Sequence, residues 1–302
     1  MSSSSFPLLR LPLVALREII EKIELYEQFK LSRCSKRTRF VVKNHRDKST
    51  VSLKLFNVGR NVKVSLLKKR DNVIFKVNAD AEGDPYNWNL SEQFQRTKLL
   101  VGNLCDLFAA KVEEVKVYDD RTGMLDIVEE VQGAFSYDAE IWNKYEYTDE
   151  QLRHILVDLN PRSLEIYHNA SAQFRIESFR KKYENLTIFI ASWMTVDNLY
   201  QLDCVELMIY NRNFSSTKIN RYLKHVLRGG APRLRKFRAG VRLANEDGIF
   251  DGIRELMTGS ELIEDEERTW HLDGKVAREE GLDLVSVRCS RFGVVYLEIK
   301  DA

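Results

Sequence analysis

Along residues 13–23 the apolar positions Leu13, Leu16, Ile20 and Ile23 recur at spacings of three and four. Val14 and Ile19 widen that stripe, and Glu18, Glu21 and Lys22 fall on the other side. This period predicts an amphipathic helix. Pro12 suits its first turn, because a missing N–H costs nothing where no intrahelical acceptor exists and φ is already set. Residues 26–34, YEQFKLSRC, bring Phe29 and Leu31 as the next apolar positions. Ser35 then stands as the N-cap of a third helix that carries Lys36, Arg37, Arg39 and Lys43 outward and offers Phe40 and Val41 to the interior.

Further on the period changes. VSLKL, VKVSLL and NVIFKV within 51–77 read as strands, and 78–90 as a loop or linker. From residue 91 helices and strands alternate. Ser91 caps a helix bearing Phe94, Leu100, Val101, Leu104 and Phe108, and VEEVKVY (112–118) follows as a strand. Thr148 with Gln151 forms a capping-box pattern before Leu152, Ile155, Leu156 and Leu159, and Pro161 ends that stripe. Strands are expected at 163–169, 186–191, 205–211 and 234–240, with a short turn capped by Thr195 between the second and third. A helix starting at Ser216 or Thr217 aligns Ile219, Tyr222, Leu223, Val226 and Leu227 and stops at Gly229 and Gly230. Another helix follows Asn245. The acidic run 261–267 reads as a solvated loop, Asp273-Gly274 as a turn, and LVSVRC and GVVYLEI as a closing hairpin.

A weak repeat runs through this half: LEIYHN at 164–169 and LMIYN at 207–211. Strand starts near 164, 186, 207 and 234 suit a leucine-rich-repeat-like array, in preference to an ordinary α/β sheet. The fold class is therefore mixed, α+β and α/β: a small three-helix module followed by an irregular leucine-rich-repeat-like α/β domain.

At 302 residues, 44% hydrophobic and 30% charged, the chain has length for roughly two domains and can bury a core. Its 47 Lys and Arg against 45 Asp and Glu give no global pull toward nucleic acid or acidic membranes. Cys34, Cys105, Cys204 and Cys289 form no C-x-x-C pair and suit a reducing compartment. Sequons at Asn89, Asn169, Asn185 and Asn213 would matter only in a secreted chain. Pro7, Arg10 and Pro12 break the first apolar run, and no small-residue cleavage site follows, which argues against a signal peptide. No run of about 18 apolar residues exists to span a membrane. The expected location is intracellular, in cytoplasm or nucleus.

Catalytic motifs are missing. His45, His154, His168, His225 and His271 stand far apart, with no second ligand at metal-site spacing. S-S-T-K at 215–218 fits S-x-x-K, but it sits where a helix cap is needed and lacks its companion motifs. The expectation is a protein that is not an enzyme, with no cofactor and no metal.

About forty residues bury little surface alone, so the amino-terminal module gains stability if a partner covers part of its apolar face. The Leu11-Pro12 opening, the helix lengths and the Ser35-Lys36-Arg37-Thr38 step resemble the F-box, in the form found in the large nematode group. Val14 stands where that family often has Glu, and Thr38 where it often has an aromatic residue. The resemblance implies docking to a Skp-type adaptor, and through it to a cullin, by Leu11, Pro12, Leu16, Ile20, Ile23, Phe29 and Leu31. The block 186–240 resembles the F-box-associated domain of the same group through its Leu-Asp-Cys step, its Leu-Lys-His helix and Gly-Gly-x-Pro-Arg-Leu. That implies a domain that holds an unidentified protein substrate, by residues that the resemblance does not name.

The expected organisation is an F-box at 6–46, a strand-rich connecting segment at 51–77 and a substrate-binding domain at 91–300. The expected function is substrate recognition for a Skp–cullin–F-box ubiquitin ligase. The alternative is a nucleic-acid-binding regulator using Arg33, Lys36, Arg37, Arg39, Lys43, Arg46 and Lys48. It is disfavoured because only Asn44 accompanies these cations to reach base edges.

Overall fold

The computed structural model describes residues 8–46, 49–58, 61–69, 71–78, 90–118, 123–133, 136–142, 147–168, 170–171, 173–179, 181–211, 213–241, 245–264, 269–278, 281–290 and 292–301. The expected loop at 79–89 lies outside these residues. The chain divides into two compact units, Met1–Phe135 and Ser136–Ala302.

The amino-terminal unit opens with a 3-10 turn at Leu8–Arg10 and three helices: α1 (Leu13–Lys22), α2 (Leu25–Cys34) and α3 (Lys36–His45). Pro12 occupies the N-cap of α1 rather than its first turn. Ser35 caps α3 as expected, and Thr38 completes a capping box: Thr38 N–H donates to Ser35 Oγ (3.1 Å) and Ser35 N–H to Thr38 Oγ1 (2.9 Å). The hydroxyl at position 38 thus satisfies the Ser35 N–H, a donor that an aromatic ring there would leave unpaired. Leu16, Ile20, Leu25, Val41 and Val42 form the helical core. Phe40, expected to point inward, is 67% exposed; Val41 and Val42 take the interior positions of that run.

Strands β1 (Ser52–Val58), β2 (Asn61–Lys68) and β3 (Asp71–Asn78) form an antiparallel meander, and β4 (Lys111–Val117) lies parallel to β1 on its other side. Val62, Val64 and Leu66 alternate into a core shared with Val101, Leu104 and Leu107 of α4 (Leu90–Phe108). That helix begins one residue before Ser91, which therefore lies within it. An unforeseen helix, α5 (Met124–Gln132), follows Gly123, whose φ of 58° suits glycine at the entry.

In the carboxy-terminal unit, β5 (Asp138–Trp142), β6 (Ser163–Tyr167), β7 (Lys182–Ile188), β8 (Asp203–Tyr210) and β9 (Lys236–Gly240) run parallel, in chain order. Between them lie α6 (Asp149–Arg153), which passes into a π-helical turn at His154–Asp158, α7 (Val196–Tyr200) and α8 (Ser216–Leu227). Thr148 and Thr195 cap α6 and α7 as expected, each closing a capping box. α8 starts at Ser216, as expected, with Ser215 as its N-cap. α9 (Glu246–Phe250) is capped by Asn245 and followed by a 3-10 turn at Arg254–Leu256.

β10 (Thr258–Glu264), β11 (Thr269–Arg278), β12 (Gly281–Ser290) and β13 (Val294–Asp301) form an antiparallel meander that joins β9 through β13. Two expectations are corrected here. The acidic run is a strand as far as Glu264, and Asp273-Gly274 lies within β11. A Cβ at Gly274 would sit 3.1 Å from Met257 Cβ and 3.2 Å from Ser260 Cβ. The glycine therefore serves close approach at an irregularity of β10, not a turn.

Alternation divides this second sheet into two faces. One buries Leu164, Ile166, Tyr183, Leu186, Leu207, Ile209 and Phe237. Tyr183 donates to the Leu156 carbonyl at 3.0 Å, and Phe237 packs 4.9 Å from Tyr222 of α8. The opposite face is half-exposed.

Candidate functional site

The residues expected to dock on an adaptor fall into two groups. Leu16 (4% exposed) and Ile20 (0%) are buried by the chain itself, because they occupy the inner line of α1. They hold the helices together and present no surface. Pro12 is exposed, and Leu11, Ile23, Phe29 and Leu31 are half-buried. Phe29 packs edge-on against Phe75 of β3 at 4.9 Å, with Tyr26 6.3 Å from the same ring. This aromatic contact fastens α2 to the strands of its own unit.

The aliphatic side chains of the helices left in solvent are instead Leu13 (67%) and Val14 (73%), with Phe40 and, less so, Tyr26 among the rings. Leu13 and Val14 directly follow the Leu11-Pro12 edge, so that edge continues into bare hydrocarbon. Val14, where a glutamate is common in the family resembled, adds apolar surface at a solvent-facing position. The periodicity placed Leu13 on the buried stripe; its position at the first residue of α1 leaves no neighbouring turn to cover it.

The basic helix is partly spoken for. Arg39 reaches Asp106 of α4 at 2.9 Å, and Lys43 pairs with the other oxygen of that carboxylate. Hydrogen bonds from Lys43 and then Arg39 hold the Asp106 carboxyl below the usual carboxylate range. Asn44 spends its amide on the Phe40 carbonyl (2.7 Å), and Arg46 bonds the Lys43 carbonyl. Arg39, Lys43, Arg46 and the Asn44 amide are thus engaged within the unit, while Arg33, Lys36 and Arg37 are exposed and Lys48 lies outside the described residues.

Cys105, Cys204 and Ser215 are not set up as nucleophiles. Burial pushes the Cys105 thiol up to about 11 and Cys204 up to about 12, so neither supplies thiolate at neutral pH. Ser215 accepts the Lys218 backbone N–H at 3.3 Å and acts as a helix cap, while Lys218 Nζ turns to the Asn213 carbonyl. Among the described residues no three His, Cys, Asp or Glu side chains gather in a metal-binding group. Among them, too, no helix is long and apolar enough to cross a membrane.

In the carboxy-terminal unit Trp193 is a core residue, packed edge-on to Phe174 at 4.9 Å, and Tyr222 is fully buried. Tyr210 is different. It lies on the half-exposed face, stacked 5.4 Å from Phe189.

No curated protein and no solved structure matches the chain. Two family models do. One, described as F-box associated, matches residues 176–239 and takes in β7 through most of β9. The other, the F-box domain, matches residues 8–50, which hold α1–α3 and the turn before them. The chain therefore carries an amino-terminal F-box domain and a carboxy-terminal F-box-associated domain, a composition typical of non-catalytic adaptors in ubiquitin ligases.

Proposed function

We propose that this chain is the substrate-recognition subunit of a Skp–cullin–F-box ubiquitin ligase. Residues 6–46 dock on the Skp-type adaptor, and the carboxy-terminal unit holds a protein target. The observation that carries this reading is the apolar edge Leu11-Pro12-Leu13-Val14, which stands beside a buried helical core inside the F-box span. The half-buried Ile23, Phe29 and Leu31 are assigned to the same adaptor contact, while Leu16 and Ile20 hold the helices that carry it. The mechanism is proximity: a target held near a charged conjugating enzyme reacts at raised effective concentration, and no chemistry is required of this chain.

The parallel strands β5–β9, taken in chain order with helices between several of them, support an irregular leucine-rich-repeat-like reading of the target-holding half. Ser35-Lys36-Arg37-Thr38 and Gly229-Gly230-Ala231-Pro232-Arg233-Leu234 support the nematode type of F-box protein.

The test is co-purification with a Skp-type adaptor. Leu11→Ala with Pro12→Ala should abolish capture while the thermal melting profile stays within about 0.5 kcal/mol of the parent, since neither side chain is in the core. Capture that survives both substitutions would refute the docking edge.

A further inference from the structure

The half-exposed face of the second sheet carries a row of rings. Trp142 stacks on Tyr167 at 3.4 Å and 19°, Tyr167 on Phe189 at 3.7 Å and 10°, and Phe189 on Tyr210 at 5.4 Å and 10°. Trp142, Tyr167 and Tyr210 stand at the ends of β5, β6 and β8, and Phe189 directly follows β7, on strands that pair in parallel register. The inner rings of the ladder spend both faces on their neighbours, so along its length it turns ring edges outward. Ring edges carry the positive end of the quadrupole and suit carbonyl and carboxylate oxygens.

Two residues back along each strand lies a second row: Glu165 of β6, Thr187 of β7, Met208 of β8 and Arg238 of β9, each opposite the next. Its two ends are charged and incompletely answered. The Glu165 carboxylate accepts one hydrogen bond, from Tyr167 Oη at 2.6 Å, and faces Glu140 directly across the strands. Like charges in that position repel. Burial and both carboxylates push the Tyr167 phenol up, so it stays a donor to one Glu165 oxygen and leaves the other available. At the far end the Arg238 guanidinium lies between two rings, 5.6 Å from Tyr210 and 5.0 Å from Tyr296. Its Nε is buried without a hydrogen-bond partner, and no carboxylate pairs with it among the described residues. Gly240 stands directly opposite Tyr210 on the next strand, and a Cβ there would come within 3.0 Å of that ring.

Three strand spacings separate Glu165 from Arg238, about 14 Å. An extended chain covers that distance in about four residues, and residues four apart in an extended chain share one side.

We propose that this face binds an extended segment of the target protein laid across the strands. The segment sets a basic side chain on Glu165, an acidic one four residues away on Arg238, and an apolar one between them on Met208 and the ring edges. The proposal rests on the reading of this unit as the target-holding half. It deepens that reading by fixing the chemistry and spacing of what is held.

The probe is an end-capped, fluorescent peptide, Gly-Lys-Ser-Leu-Ser-Glu-Gly, titrated with the full chain by anisotropy. Saturable binding is expected. Glu165→Gln and Arg238→Gln should each weaken it about three-fold, as one partly exposed ion pair allows. A peptide with Gln for Lys should bind weakly and lose its response to Glu165→Gln while keeping that to Arg238→Gln. Moving Lys and Glu to two residues apart should also weaken binding. No saturable binding, or binding indifferent to both substitutions and to spacing, overturns the proposal. Adaptor capture measured on the same variants separates the two ideas. If the parent chain captures no adaptor yet binds the peptide with this charge dependence, the ligase reading falls and the peptide surface stands; the reverse result removes the surface alone.

Discussion

The amino-terminal docking edge and the carboxy-terminal aromatic ladder expose apolar groups in opposite ways. In the amino-terminal unit Leu13, Val14 and Phe40 stand singly on ten-residue helices, each more than 60% exposed. In the ladder of the carboxy-terminal unit Trp142 (37% exposed) and the half-buried Tyr167, Phe189 and Tyr210 are already stacked on one another across strands, while Ile263 and Phe292 of that unit are exposed outside it. Aliphatic tips on short helices lose rotamer freedom when a partner covers them, whereas the ladder has lost it on folding. The first surface therefore gains from being covered, in the manner of a permanent subunit contact. The second is pre-organised, with fixed charges at set spacing, and suits selective recognition of a passing segment.

The contrast can be broken most forcefully at Ile20. This side chain lies fully inside α1–α3, only a few positions from Leu13 and Val14. Ile20→Ala removes buried methyl groups and should destabilise the amino-terminal unit by about 3 kcal/mol in chemical denaturation. Leu13→Ala and Val14→Ala should each change stability by less than about 0.5 kcal/mol yet weaken adaptor capture. If Ile20→Ala left the unfolding midpoint in place, the division between core and docking edge would be wrong.

A smaller effect separates rigid from marginal structure in the second unit. Asn220 is 4% exposed and donates to the carbonyls of Ile249 (2.7 Å) and Asp251 (2.8 Å), tying α8 to the turn after α9. Asn220→Ala leaves the buried Ile249 carbonyl and the part-buried Asp251 carbonyl unanswered and should cost about 2 kcal/mol. The aromatic ladder stands on β5–β8, so amide exchange in those strands should change less than in α9. Equal loss of protection in both would show that the ladder borrows its rigidity from the helices.

What could be read in advance tracks how local the physics is. Ser35, Thr148 and Thr195 were legible as caps because a capping hydroxyl acts within three residues. The buried line of α8 was legible from its period. Phe40 was not, because the adjacent Phe40, Val41 and Val42 offer three apolar candidates and packing decides among them. Asp273-Gly274 carried a strong turn signal that a cross-strand approach to Met257 overrode. The short elements α5 and β5 gave too little periodicity to announce themselves. The candidate target surface was half legible. The LEIY and LMIY repeats put Tyr167 and Tyr210 in matching places, but Trp142 and Phe189 join them only through the register of the sheet.

The mildest test concerns the basic helix. Asp106 accepts from both Arg39 and Lys43, and these bonds depress its folded-state pKa below the unfolded value of about 3.9. A depressed carboxylate adds stability above the unfolded pKa and loses it as pH falls through the folded one. The group is 44% exposed, so solvent screening limits the gain to about 0.5 kcal/mol. Asp106→Asn should therefore lower the urea midpoint slightly at pH 7, with the gap closing below about pH 4 as the parent carboxylate takes up its proton. The same substitution frees two cations on α3. If it created no salt-sensitive retention on DNA, the helix would be basic for the sake of its own unit; strong retention would mean that Asp106 masks a nucleic-acid surface.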